Sequence, residues 1–241
     1  MRHLDPRPTA RQLARLAAGA LLALLAAAAA PAIAPAAEPY PRVQLVPQDK
    51  AIADPSFAAF RKKLDAVVTA KDASALRAML APQVRVSFGG ESGPDAFFER
   101  WKPAEPGSEL WPLLAKLLTL GSTGERSDDG VTATYPYAYA AFPDDLDAFT
   151  SGVITGRGVK VREKADAASP VVTQLDYDVV KVRDWKFDGE TGTSPPWIEV
   201  ELWNGKTGFV AKSMIRSPGD YRVGFTKQDG TWKLTYLVAG D

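Results

Sequence analysis

The spacing of hydrophobic positions changes character partway along the chain. Phe57, Phe60, Leu64, Val67 and Val68 recur at helical spacing, and after Asp72, an N-cap type, Leu76, Met79 and Leu80 repeat it. The stretch "QVRVSFGG" alternates around Val84, Val86 and Phe88, which predicts a strand ending at Gly89-Gly90. Gly93-Pro94 then opens a helix carrying Phe97, Phe98 and Trp101, and "SELWPLLAKLLTL" predicts another, capped by Ser108. "VTATYPYAYAAF" places Val131, Ala133, Tyr135, Tyr137, Tyr139 and Ala141 on one face of a strand, with Pro136 marking an edge or a bulge.

That region supplies two strands for four helices, too few for a stable sheet. From Thr150 the pattern becomes a series of short β runs divided by Gly, Asp, Asn and Pro turns. A last hairpin closes the chain. Tyr221, Val223 and Phe225 alternate, Gln228-Asp229-Gly230 turns, and Trp232, Leu234, Tyr236 and Val238 alternate again. This hairpin is expected to return to the helical region and supply its missing strands; a simple tandem of two modules is the other arrangement.

Two N-terminal segments fall outside this pattern. Residues 1–37 begin with Arg2, Arg7, Arg11 and Arg15, continue as "LAAGALLALLAAAAA" and offer small-residue cleavage sites such as Ala34-Pro35-Ala36. They read as a secretory signal peptide, so the mature protein is expected in the periplasm or outside the cell. It would be tied to a membrane only if that leader stayed uncleaved. Residues 38–53 carry prolines and little periodicity, as an extended linker does.

Charge and missing residue types narrow the chemistry. The whole chain has 29 basic and 29 acidic residues, and the leader's four Arg and one Asp leave the remainder with an excess of three acidic residues. A nucleic-acid partner would require a basic footprint instead. There is no Cys, and the one His, His3, lies in the leader. Thiol nucleophiles, Ser–His–Asp catalysis and the common zinc sites are therefore absent from the mature sequence, and no cofactor is implied.

"WNGKTGFVAKSMI", from Trp203 to Ile215, contains the Gly-Lys-Thr with which a phosphate loop ends. Such a loop needs Gly five positions before Gly205, where Val200 stands, and a helix after Thr207, where Phe209 and Val210 favour a strand. The segment instead belongs to a longer pattern: Val159, Val161 and Arg162; Ser169, Pro170, Val171 and Val172; Trp197 and Val200; Gly208, Phe209 and Val210. Over residues 150–216 this resembles the bacterial Src-homology-3-type domain, with Asn204-Gly205 as a hairpin turn. The loop "KFDGETGTSPP" is longer than that family's usual connection. Helices followed by strands ending in Asp-Gly-x-Trp-x-Leu resemble the cone-shaped nuclear-transport-factor-2-like (NTF2-like) fold.

The expected fold class is thus α+β. An NTF2-like domain would comprise residues 54–147 plus 218–241, with a small SH3-like barrel, 148–217, before the last hairpin. The Src-homology-3 resemblance implies a binding role toward a cell-wall peptide or an envelope protein. Trp197 matches that family's groove Trp, while Tyr177 and Trp185 are flanking aromatics and Asp188 and Glu190 lie in the long loop, where carboxylates can meet peptide amines. The alternative is an NTF2-like enzyme acting on a small molecule. It would use a carboxylate from Asp95, Glu99 or Glu109 and a hydroxyl from the Tyr135, Tyr137, Tyr139 stripe.

Overall fold

The computed structural model describes residues 40–127, 130–185 and 196–240. The leader, Asp188 and Glu190 lie outside the described residues. Strands assemble into two sheets, one covered by helices and one without them.

The helices begin where the sequence places its caps. Helix α1, Pro55–Ala70, has Pro in its first turn, and the Asp54 carboxylate accepts from the N–H groups of Ser56 (2.7 Å) and Phe57 (3.3 Å), two of the donors a helix start leaves unpaired. Helix α2, Ala73–Met79, is capped by Asp72, which accepts from Ala75 N at 2.9 Å. Helix α3 is Pro94–Trp101 and helix α4 is Leu110–Leu118. Ser108 serves the start of α4 as expected, its Oγ accepting from Leu110 N at 3.3 Å and donating to Trp101 O.

The first sheet has the order β1-β12-β11-β3-β2, with β1 (Leu80–Arg85) parallel to β12 (Thr231–Val238) and the other pairs antiparallel. Strand β11, Arg222–Gln228, lies between β12 and β3, Gly130–Tyr135, in the register Val223↔Tyr135 and Phe225↔Ala133. Asp229 and Gly230 both have positive φ, 49° and 77°, as a tight two-residue hairpin turn demands. Strand β2, Thr123–Ser127, has the polar sequence TGERS and gives no apolar alternation to read.

The face of this sheet toward the helices is closed by one cluster. Phe57, Leu64, Leu76, Phe97, Leu114, Tyr135, Phe225 and Leu234 are fully buried in it. The Trp232 ring meets Phe57 edge-on at 4.7 Å and its Nε1–H donates to Ser56 Oγ at 2.9 Å, so the last strand and the first helix share one packed unit.

The expected Tyr stripe does not form. Pro136 has no N–H for the ladder, so β3 stops at Tyr135 and residues Tyr137–Ala140 make a single helical turn, α5, whose Tyr137 N–H donates to Gly121 O at 2.7 Å. Tyr135 consequently points into the helix-covered layer, while Tyr139 stands on the opposite side of the sheet, near Arg222.

The second sheet is antiparallel, of seven strands in the order β10-β4-β7-β8-β9-β5-β6. In chain order these are Ser151–Ile154, Val159–Arg162, Val171–Leu175, Val179–Val182, Trp197–Glu201, Thr207–Ala211 and Ile215–Arg216. It wraps its own core of Val, Ile and Leu, among them Val161, Leu175, Val180, Ile198, Val200 and Val210. Its edges β10 and β6 do not pair with each other, so the hydrogen bonding does not close into the barrel expected from sequence. Asn204-Gly205 turns the chain as expected: Gly205 has φ 77°, and Lys206 N donates to Asn204 Oδ1 at 3.1 Å.

The segment expected as a linker is extended but is no free tether. Val43 O accepts from Val179 N, Leu45 N donates to Tyr177 O, and Arg42 makes a two-pronged pair with the buried Asp178 carboxylate at 2.6 and 3.1 Å. Farther on, Ser122 N donates to Gln48 O and Lys50 N to Ser122 O. One strap thus crosses both sheets. The sequence hides it because only Leu45 and Ala51 of its residues are buried, too few to show a period.

Candidate functional site

An open groove of about 1110 Å³ runs along the side of the first sheet facing away from α1 and α4. The chain between α5 and β4 forms one wall through Phe142, Leu146 and Phe149. Trp185, just after β7, and Lys212, after β9, form the other, and Tyr139, Ala239 and Gly240 complete it. Phe149 is 79% exposed, a large cost for an aromatic ring without a function at the surface. Its backbone is nonetheless fixed: Asp147 accepts from Phe149 N at 2.8 Å and from Thr150 Oγ1 at 3.0 Å, and these bonds hold the Asp147 carboxyl below its ordinary range. Phe149 O in turn accepts from Trp185 Nε1 at 3.1 Å.

Lys212 lies with its Nζ 4.5 Å from the Trp185 ring centroid, and burial lowers its pKa from the usual lysine value. Three carboxylates, Glu125, Asp144 and Asp220, share the groove with it. An apolar, aromatic trough with an acidic border suits an extended chain that carries apolar side chains and some positive charge.

Of the residues marked out by sequence, Trp185 lies in this groove. Tyr177 does not: it sits in the turn before β7 with φ 57°, under Arg157, beside a crevice of about 10 Å³ that it lines with Leu45 and Pro47. Trp197 starts β8, half-buried, with Ile198 and Val200 directed into the core on the other side of the strand, as alternation requires. Trp197 does not line the groove that holds Trp185.

The carboxylates considered for catalysis are not assembled with Tyr135, Tyr137 or Tyr139. Asp95 is exposed and pairs with Arg77, Glu99 is exposed on α3, and Glu109 borders a separate polar hollow of about 340 Å³ with Arg100 and Tyr221. Tyr135 instead meets Asp49. Its Oη donates to Asp49 Oδ1 at 2.8 Å and accepts from Arg61 Nη1 at 2.7 Å, while Ser122 Oγ donates to the same Asp49 oxygen. Burial raises the Tyr135 hydroxyl pKa to about 12.

The groove residues Phe142, Leu146 and Phe149 escape a sequence reading because they sit in a connector, where packing between segments distant in sequence decides what is exposed. The one available signal is Phe149 itself, a lone aromatic among Asp, Thr and Ser in "DLDAFTS".

No protein-family model matches this sequence, and no curated protein matches it. Among solved structures, a chain whose title begins Rd1NTF2_05 is 12% identical, covering 78% of this chain and 99% of its own length, with a TM-score of 0.27. An NTF2-like protein with a cystatin-like fold from Novosphingobium aromaticivorans is 11% identical over 78% of this chain and 86% of its own, also at 0.27. At that TM-score the likeness adds nothing to the fold, which stands on the sheet orders and cores given above.

Proposed function

We propose that this chain is an exported, non-enzymatic binding protein of the bacterial cell envelope that captures an extended stretch of a cell-wall peptide or of a protein partner. The groove carries this reading. It leaves Phe149 and Tyr139 open to solvent beside the half-buried Trp185, with the Phe149 backbone fixed, so apolar groups of a partner can be covered with little loss of freedom on the protein side.

Residues 148–217 are taken as an SH3-type module inserted into an NTF2-like unit of residues 54–147 and 218–241. The pairing of β3 with β11 across the intervening strands supports this division. A carboxylate/Tyr enzyme has less support. The described Asp49–Tyr135 contact is already engaged by Arg61 and Ser122, and the helix-covered face around it is filled by side chains.

The test is recovery of purified peptidoglycan fragments or of one defined envelope protein by the wild-type protein and by a Phe149→Ser, Trp185→Ala variant. Loss of recovery with an unchanged circular dichroism spectrum is the expected result. Equal recovery by both proteins would remove the groove from the reading, and turnover of cell wall by the pure protein would remove the non-enzymatic part.

A further inference from the structure

Arg222 opens β11 on the side of the sheet that faces away from the helices, next to the groove through Tyr139. It is 5% exposed. Its guanidinium carbon lies 4.3 Å from the Tyr139 ring centroid and 5.2 Å from that of Phe88. Among the described residues it has no carboxylate within ion-pair distance, and its Nη1 is buried without a hydrogen-bond partner. Asp220, two residues earlier, spends Oδ1 on the N–H of Tyr221.

Most buried arginines are paired, because a guanidinium removed from water loses several kcal/mol of hydration unless its donors are met. The two rings offset part of that cost, but an aromatic ring is a weak acceptor for N–H donors. Its N–H donors lie in the guanidinium plane, and there Nη1 meets no acceptor among the described residues. A carboxylate fits that geometry, since its two oxygens accept two parallel in-plane N–H bonds. Nearby charge agrees: buried Arg216 has its pKa lowered, chiefly by burial, with Arg222 adding repulsion and Asp220 offsetting part of it. The rings beside Arg222 are themselves partly open to solvent, Phe88 at 49% and Tyr139 at 36%, so this corner lies just beneath the surface.

The geometry points to Arg222 as the anchor for a carboxylate group of the ligand, held in the guanidinium plane between Phe88 and Tyr139, with the ligand's apolar remainder continuing along Tyr139 into the groove. This assignment rests on the groove reading only for that remainder.

The probe for the anchor is phenylacetate, with phenylacetamide as its uncharged counterpart, titrated into the full-length protein while the arginine Nε–Hε signals are followed by NMR. The Arg222 signal is identified by its loss in Arg222→Met, a similar-sized apolar side chain that both rings can still cover. The expected result is a saturable shift of that signal with phenylacetate, at least about tenfold weaker with phenylacetamide, as the loss of a charge-assisted pair requires. A shift that does not saturate, or one equal for acid and amide, overturns the assignment. If Arg222→Met does not fold, Arg222→Lys decides: it keeps the charge but not the planar fork, and affinity for phenylacetate equal to wild type sinks the anchor. A second titration uses the peptide acetyl-Leu-Ala-Phe as free acid and as amide. Phenylacetate binding without binding of either peptide leaves the anchor in place and removes the groove. Equal binding of both peptides, lost in Phe149→Ser but not in Arg222→Met, leaves the groove and removes the anchor.

Discussion

The two faces of the first sheet each carry an arginine beside a Tyr, and the two arginines are treated in opposite ways. On the helix-covered face, Arg61 donates to Tyr135 Oη, to Asp65 Oδ1 and to Leu118 O, and also approaches Asp49 at 3.4 Å. On the other face Arg222 has two rings, and its buried Nη1 has no acceptor among the described residues. A polar group whose donors are all met is held in place and contributes rigidity, whereas one left unmet keeps its free energy available to a ligand. By this contrast the Asp49–Tyr135–Arg61 cluster, which superficially offers a carboxylate and a hydroxyl for catalysis, is the structural one. The sparser corner beside the groove is the one suited to binding.

The contrast is broken most severely by opening the filled face. Trp232→Ala removes a buried ring that touches Phe57 and bonds Ser56, and is expected to cost about 3–5 kcal/mol. Urea unfolding should show it as a lower midpoint with the slope retained. An effect under about 1 kcal/mol would mean that the last hairpin is not part of the helical unit's core.

The next largest effect is on the open face. Gly224 lies directly beneath the Tyr236 ring, and a Cβ there would overlap the ring atoms. Tyr236 Oη in turn shares a 2.7 Å hydrogen bond with Thr134 Oγ1. Gly224→Ala should cost about 1–3 kcal/mol by overpacking and release Tyr236 from Thr134. A melting temperature equal to wild type would show that the ring moves aside freely, and that this face is softer than the contrast requires.

How much of this was legible in sequence differs between the faces for a physical reason. Helix starts are local: Asp72, Pro94 and Ser108 act on the next three residues, so their positions could be read directly. The hairpin turn at Asp229-Gly230 is equally local. Strand β2 was not legible, because TGERS is polar and acquires its place only by pairing with β3. The Tyr stripe was misread since periodicity continued past Pro136 while the ladder did not. Of the site, Trp185 was marked as a binding aromatic and Tyr139 only as a candidate hydroxyl on a strand face, while Phe149 comes from a segment whose neighbours are set by tertiary packing. Tyr177 and Trp197 have the expected composition and stand elsewhere.

A smaller effect tests the satisfied cluster by pH. Tyr135→Phe deletes a hydroxyl that joins Arg61 to Asp49 and should cost about 1–2 kcal/mol near neutral pH. The Tyr135 hydroxyl, with a folded pKa of about 12 against an unfolded value of 10.0, favours the protonated folded state. Its contribution is therefore complete below about pH 10 and is lost as pH rises toward 12. Tyr40, also raised to about 12, loses stability in the same window. Stability of Tyr135→Phe should accordingly fall less steeply above pH 10 than that of wild type, with the slope due to Tyr40 retained. Parallel curves would mean that Tyr135 ionises as freely in the fold as in the unfolded chain.

The smallest expected effect on stability is also the one that separates the two outward-facing aromatic surfaces. Phe149 is mostly exposed and Trp197 half-buried, so Phe149→Ser should leave the unfolding free energy within about 0.5 kcal/mol of wild type, and Trp197→Ala should lower it modestly. Their effects on binding are expected to run the other way. Truncating an aromatic at the centre of a binding surface removes about 2 kcal/mol or more, roughly thirtyfold in affinity, whereas one at its margin removes little. If the groove is the site, Phe149→Ser weakens capture of the peptide by that factor and Trp197→Ala leaves it within a few fold, both read by fluorescence anisotropy of a labelled peptide. The reverse order would place the ligand on the outer side of β8. The exposure of Phe149 would then be incidental, and the inference that unmet surface on the open face marks the site would fail at its most exposed residue.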